Sequence, residues 1–226
     1  TVFQKPSDNL FLNKYLLKNT KFMFTKKTIT ALLLLAALHC SFAQNDIRLL
    51  VRADDMGCSH ATNTGIVKSF QEGIATSVEV MVPAPWFPEA VHILRAHPEW
   101  DAGIHLVLTS EWTNIKWRPL TFAPSLADSM GYFFPTIWPN ARFGKNRALL
   151  NHDWKLEEIE QELRAQIELA KREIPQLSHM SAHMGCTNLS EETQALFRQL
   201  GKEYDLDIFL EDHNVQGIRG WNSIRL

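Results

Sequence analysis

Three cysteines in 226 residues are too few for a disulfide framework. The chain also lacks an excess of charge of either sign. Lys+Arg total 23 and Asp+Glu total 25, a formal net charge of −2, which gives no support to a nucleic-acid binder driven by bulk charge. Long apolar runs are missing but for one, and a mean hydropathy of −0.17 excludes a polytopic membrane protein. There is no internal repeat and no low-complexity tract. What is present is ordinary for a folded domain. Hydrophobic residues make up 45% and charged residues 21%, which argues against disorder. The length fits one sizeable domain.

The near-zero charge is an average over two unlike parts. Residues 1–43 hold six Lys and one Asp, net +5, whereas residues 44–226 hold 17 basic and 24 acidic residues, net −7. Met23, Lys26 and Lys27 open a basic stretch, and Ile29 to Leu38 is apolar. That run is short for a membrane span, which takes about 20 residues, and suits a signal-peptide core. Ser41-Phe42-Ala43 supplies small residues at −3 and −1 of a cleavage site. The expectation is an upstream segment and signal peptide over 1–43, export to a periplasmic or secreted location, and a mature domain over 44–226 with no membrane anchor.

The mature part reads as alternating strands and helices. Ile47 to Ala53 is a first strand running into a polar Asp54-Asp55-Met56-Gly57 turn. Ser59 to Glu72 reads as a helix, Thr76 to Val82 as a strand, Pro88 to Ala96 as a helix and Ala102 to Leu108 as a strand. Leu156 to Arg172 is the clearest helix, with Ile159, Leu163, Ile167 and Ala170 on one face and Pro175 as its stop. Gln176 to Ser181 is a fourth strand, Ser190 caps a helix to Leu200, and Asp207 to Leu210 is a fifth strand. This order predicts an α/β fold with parallel strands. Residues 111–150 break it with a Trp-, Phe- and Pro-rich loop, and a loop of that length in a compact domain is usually functional.

Asp54, Asp55, His105 and His183 all fall at the C-terminal ends of expected strands, the edge where parallel α/β folds carry their sites. One carboxylate and two imidazoles can hold a divalent ion and leave positions open for water and substrate. An Asp pair at a strand end also serves as a turn or cap, and a His after an apolar strand also serves structurally, so residue types alone leave both readings open. His60, His92, His97, His152 and His213 read as structural. The aromatic loop reads equally as a core plug or as a platform for sugar rings. Cys58 and Cys186 each follow a site segment and read either as buried thiols or as a pair across the site.

The segments Leu50 to Gly57, Asn63-Thr64-Gly65-Ile66, Gly73 to Ser77, Gly103 to Thr109 and His179 to Gly185 occur in that order. Together they resemble the YdjC-like carbohydrate deacetylases, over a stretch running from about residue 47 to the end. The resemblance implies a parallel (β/α)-barrel-like fold and metal-dependent hydrolysis of acetyl groups from N-acetylated sugars or oligosaccharides. It implies Asp55, His105 and His183 as metal ligands, Asp54 as catalytic base, and a divalent ion, Mg2+ ahead of Zn2+. The net charge of −7 on residues 44–226 argues against a nucleic-acid partner, and a homodimer stays an option. Ser181 departs from the family pattern, which often has Asp there, and Met184 and Gly185 stand where a further His often follows. Family members usually run on through more β/α units, so the expectation is a C-terminally shortened barrel without its general acid. His179 is then an accessory candidate for that role, and Glu111, Trp112, Trp117 and Arg118 are candidates for sugar contacts. The alternatives are another metallohydrolase, acting on a phosphoester or glycosidic bond, and a non-catalytic sugar-binding protein.

Overall fold

A computed structural model describes residues 50–208, which belong to a compact unit beginning at Leu49. The expected signal segment, Leu210 and His213 lie outside the described residues. The regular elements are β1 (Arg52–Met56), α1 (His60–Gln71), β2 (Ser77–Val80), α2 (Phe87–Ala96), β3 (Asp101–Leu106), α3 (Leu156–Glu173), β4 (Leu177–Ala182), α4 (Glu191–Tyr204) and β5 (Asp207–Ile208). All neighbouring strands pair in parallel, in the order β1-β2-β3-β4-β5. Sequential order without a reversal is the singly wound arrangement from which (β/α) barrels are built. No described helix is long and apolar enough to cross a membrane.

The two faces of the sheet differ in chemistry, because strand side chains alternate. Val78, Val80, Ala102, Ile104 and Met180 are fully buried and join the core beneath the helices. Helix α3 contributes Ile159, Leu163, Ile167 and Ala170, spaced three and four apart, to the same core. The opposite face carries Ser77, Glu79, His105, His179 and Ser181, all buried. Polar side chains in such a place must satisfy one another.

Local signals explain the helix ends. The Ser59 hydroxyl accepts from Thr62 N–H and caps α1. Ser190 and Thr193 form a reciprocal capping box at α4. That helix runs to Tyr204, four residues beyond the expected Leu200, and ends at Asp205 in a left-handed conformation. The first strand also differs from expectation: it starts at Arg52 and includes both Asp54 and Asp55. Its register with β2 shifts between Ala53 and Met56, and Asp55 has φ +69°. The pair is therefore a bulge inside the strand rather than a turn after it.

The long loop is mostly a plug. Trp117, Leu126, Phe133, Phe134, Ile137 and Leu149 are buried, while Trp112, Phe122 and Trp138 remain exposed. Two buried polar side chains of α3 act here, Glu162 on the loop and Gln166 on the segment after β3. Glu162 accepts from Leu120 N–H, Thr121 N–H and the Thr121 hydroxyl at 2.7–3.0 Å. Gln166 bonds both the N–H and the carbonyl of Val107, just past β3.

Candidate metal centre

Three strand ends converge on one point. Asp55 Oδ1 lies 3.1 Å from His183 Nδ1 and 3.6 Å from His105 Nε2. The ligand atoms of all three residues lie within 4.8 Å of one another. The two imidazoles meet edge to face, with ring centroids 5.1 Å apart. His105 stands on β3, His183 follows β4, and Asp55 reaches them because its left-handed backbone departs from strand alternation. A non-glycine residue held there stores about 1–3 kcal/mol, which the surroundings must offset. Asn63 on α1 supplies part of that support. It is buried, its Oδ1 accepts from Gly57 N–H at 2.7 Å, and its Nδ2 donates to Glu89 and to the Trp86 carbonyl.

The electrostatics suit a cation. Asp55 Oδ1 is buried and makes no aligned hydrogen bond. An orphaned carboxylate oxygen facing two ring nitrogens is a site short of a positive ligand. Burial raises the Asp55 carboxyl, but the close contact with His183 and the charges of His183 and His105 outweigh it and hold it below its ordinary value. Burial and the neighbouring His183 push His105 down to about 4, so it is a neutral imidazole near pH 7. Burial also opposes charge on His183, yet the neighbouring Asp55 and Glu111 carboxylates raise it to about 9. Two imidazole nitrogens and one carboxylate oxygen form a donor set that fits a divalent ion with positions left open.

The remaining candidates separate. Asp54 lies on the same strand end, half-exposed. Its carboxylate is forked by Arg52, with Nε–Oδ1 2.7 Å and Nη2–Oδ2 3.3 Å. Glu111 is brought to the centre and sits against His183: both its oxygens lie 3.2–3.3 Å from His183 Nε2. Trp112 lines a neighbouring groove of about 490 Å3 with Glu111, Lys116, Tyr132, Phe143 and Arg147. Trp117 is not brought to the surface. It is buried and its Nε1 donates to the Thr109 carbonyl, so it offers no stacking face. Arg118 lies over the Tyr132 ring at 3.9 Å and donates to the Met130 carbonyl, both residues of that groove's wall. His179 is buried within the sheet's polar face, with Glu79 at 2.9 Å and Ser178 at 2.8 Å. It belongs to that network rather than to the cluster of Asp55, His105 and His183. Cys58 and Cys186 are buried free thiols rather than a pair. Burial pushes Cys58 to about 11 and Cys186 to about 12, and Cys186 Sγ donates to the Leu106 carbonyl.

Sequence reading missed several residues here. Trp138, 40% exposed, lies against Gly185, two residues past His183, and no spacing in the sequence pointed to that contact. Glu79 and Arg52 sit in an apolar-looking strand and a strand start; a charged residue between Val78 and Val80 was the available signal.

Residues 48–223 match the family model described as YdjC-like protein. Among curated relatives, the carbohydrate deacetylase of Thermus thermophilus is 34% identical over 173 residues, covering 75% of this chain and 55% of its own. The carbohydrate deacetylase of Brevibacillus brevis is 36% identical over 138 residues, covering 61% and 49%. The chitooligosaccharide deacetylase of Yersinia enterocolitica is 36% identical over 118 residues, covering 52% and 41%. A crystal structure of a candidate cellobiose-phosphate cleavage protein from Enterococcus faecalis aligns with TM-score 0.57 at 26% identity, covering 70% of this chain and 57% of that one. The chain spans about half the length of the first of these relatives.

Proposed function

Because the chain belongs to the YdjC-like protein family, we propose that it is a carbohydrate deacetylase, hydrolysing the acetamide of an N-acetylated sugar at the Asp55–His105–His183 centre. The observation that carries this reading is the buried, unbonded Asp55 Oδ1 facing two imidazole nitrogens. A divalent ion held by those three residues supplies an acidified water and an electrophile for the amide carbonyl. Two imidazoles favour a borderline ion such as Zn2+ over Mg2+, which prefers oxygen donors. This ordering reverses the one the family resemblance implies.

The chain's own residues supply the rest. Asp54 receives the proton of the attacking water on a carboxylate oxygen, and the Arg52 fork fixes the plane of that carboxylate. Glu111 holds the far nitrogen of His183 and so sets the direction of Nδ1. Trp112 and the groove beside Glu111 offer an aromatic wall for the sugar. The proposal includes export, on the strength of the leader-like segment, and a neutral or acetylated sugar rather than a nucleic acid as partner.

The test is release of acetate from N-acetylated oligosaccharides by metal-loaded protein, compared with its chelated form and with Asp54→Asn. Acetate release that survives chelation, or full activity in the variant, contradicts the assignment. A glycosidic or phosphoester substrate is the second reading, favoured by the solved structure's description as a cellobiose-phosphate cleavage protein. Reducing sugar or phosphate in place of acetate would identify it.

A further inference from the structure

Trp86 occupies the cap position before α2, yet its side chain makes no capping hydrogen bond. Ser, Thr, Asp or Asn is preferred at such a position, because its side chain accepts from a free N–H of the first turn. An indole there forgoes that stabilisation. It also remains 42% exposed, so it returns little to the core in exchange. Neither the helix nor the core accounts for a tryptophan at this place.

The exposed indole is nevertheless held in place. Pro83 and Pro85 stiffen the segment entering α2, and Pro88 follows in the first turn. Trp86 N–H donates to the Gly57 carbonyl at 2.8 Å, and the Trp86 carbonyl accepts from Asn63 Nδ2 at 3.3 Å. Asn63 also accepts from Gly57 N–H and donates to Glu89 Oε2. Glu89 Oε1 pairs with His60 Nδ1 at 2.8 Å. The His60 ring then returns to the indole, with centroids 5.3 Å apart and planes tilted by 42°. These contacts close a circuit through Gly57, Asn63, Glu89, His60 and Trp86. Gly57 lies two residues past Asp55, so the circuit ties Trp86 to the segment that carries a candidate metal ligand.

The edge of this ring is polar. Burial raises Glu89, but the bonds from Asn63 and His60 and the charge of His60 outweigh it and hold it below its ordinary value. An ionised carboxylate only accepts, so His60 Nδ1 is the donor of that pair. The His60 side chain is 65% exposed, and its Nε2 has no partner among the described residues. The patch thus joins a fixed apolar ring to a carboxylate and an imidazole nitrogen. A pyranose unit has the complementary form, with an apolar C–H face for the indole and a girdle of hydroxyls for the polar edge. A surface already fixed in place loses little conformational entropy on binding.

We propose that Trp86, edged by His60 and Glu89, is a sugar-stacking subsite on the β1–β2 side of the metal centre, holding a pyranose unit that adjoins the one being deacetylated. The inference rests on the carbohydrate deacetylase reading and extends it to a specificity-determining residue. Trp112 follows β3, and Trp138 lies against Gly185 beyond β4. Trp86 gives the centre an aromatic wall on the side those two do not cover. It also gives His60 a role beyond the structural one that its place in the sequence suggests.

Calorimetry on the Zn2+-loaded full chain, carrying Asp54→Asn to slow turnover, tests it. The probes are N-acetylglucosamine and its β-1,4-linked dimer, trimer and tetramer. Affinity is expected to rise by about tenfold or more from monomer to trimer, and adding Trp86→Ala is expected to remove most of that rise. Residue 86 bonds Gly57 and Asn63 through its backbone, so the alanine keeps those bonds, and urea unfolding of both forms checks that the fold is intact. Adding Trp86→Phe instead keeps an aromatic face. It is expected to retain most of the affinity while showing a smaller change of indole fluorescence on binding. A merely structural indole predicts equal affinities and equal fluorescence changes in all three forms. Equal trimer affinity with and without Trp86→Ala, or no oligomer binding by the Trp86 form, overturns the inference. Trp86-dependent binding with no acetate released by the Zn2+-loaded wild type overturns the deacetylase reading instead.

Discussion

His183 stands between two carboxylates: its Nδ1 is 3.1 Å from Asp55 Oδ1, and its Nε2 is 3.2 Å from Glu111 Oε1. In the metal-free protein these partners raise the ring to about 9, so an ion approaching Nδ1 competes with a proton. Zn2+ affinity should therefore rise with pH up to about 9, by roughly tenfold per unit, with one proton released per ion bound. Calorimetry in buffers of different ionisation enthalpy measures that proton. The same shift has a folding consequence: the charged His183 stabilises the metal-free fold fully below pH about 6.5, and the contribution is lost as pH rises through about 9. His105, depressed to about 4, has the opposite sign, and its contribution is lost as pH falls through that value.

Asp54→Asn should separate base from ligand. The side chain belongs to the Arg52 fork and not to the cluster of ligand atoms. Deacetylation should fall about 10²–10⁴-fold while Zn2+ affinity stays within a few-fold. Parallel rate and chelator-competition measurements check both halves.

Asn63→Ala should loosen the segment that aims Asp55. Three hydrogen bonds of a buried amide are lost, and Gly57 N–H and Glu89 are left without it. A destabilisation of about 2 kcal/mol in urea unfolding is expected, together with weaker Zn2+ binding.

Gly103→Ala should be costly although alanine is small. The new Cβ would stand 2.4 Å from the His179 ring, so the ring must move from its place beside Glu79. Breaking a buried ion pair costs about 3–5 kcal/mol. Chemical denaturation of the variant, read against wild type, checks this.

Much of the framework was legible because it depends on periodicity. The 3.6-residue spacing of Ile159, Leu163, Ile167 and Ala170 gave α3, and the order of strands and helices gave the parallel sheet. Asp55, His105 and His183 were legible as strand-end polar residues. The bulge at Asp55 was not, since a left-handed aspartate inside a strand reads locally like a turn. Residues whose roles depend on cross-strand register were hidden too. Glu79 meets His179 only because three strands align it with Gly103, 24 positions away on the next strand. Composition could not sort the aromatic loop: Trp117 and Trp138 look alike in sequence, yet one fills the core and the other lies on the rim beside Gly185.

The most direct test of the central claim is a Zn2+ titration of the chelator-treated full chain, run beside His183→Ala. The account predicts one ion per wild-type chain and a loss of about 100-fold or more in affinity in the variant. No binding by the wild type, or equal binding by His183→Ala, would contradict it.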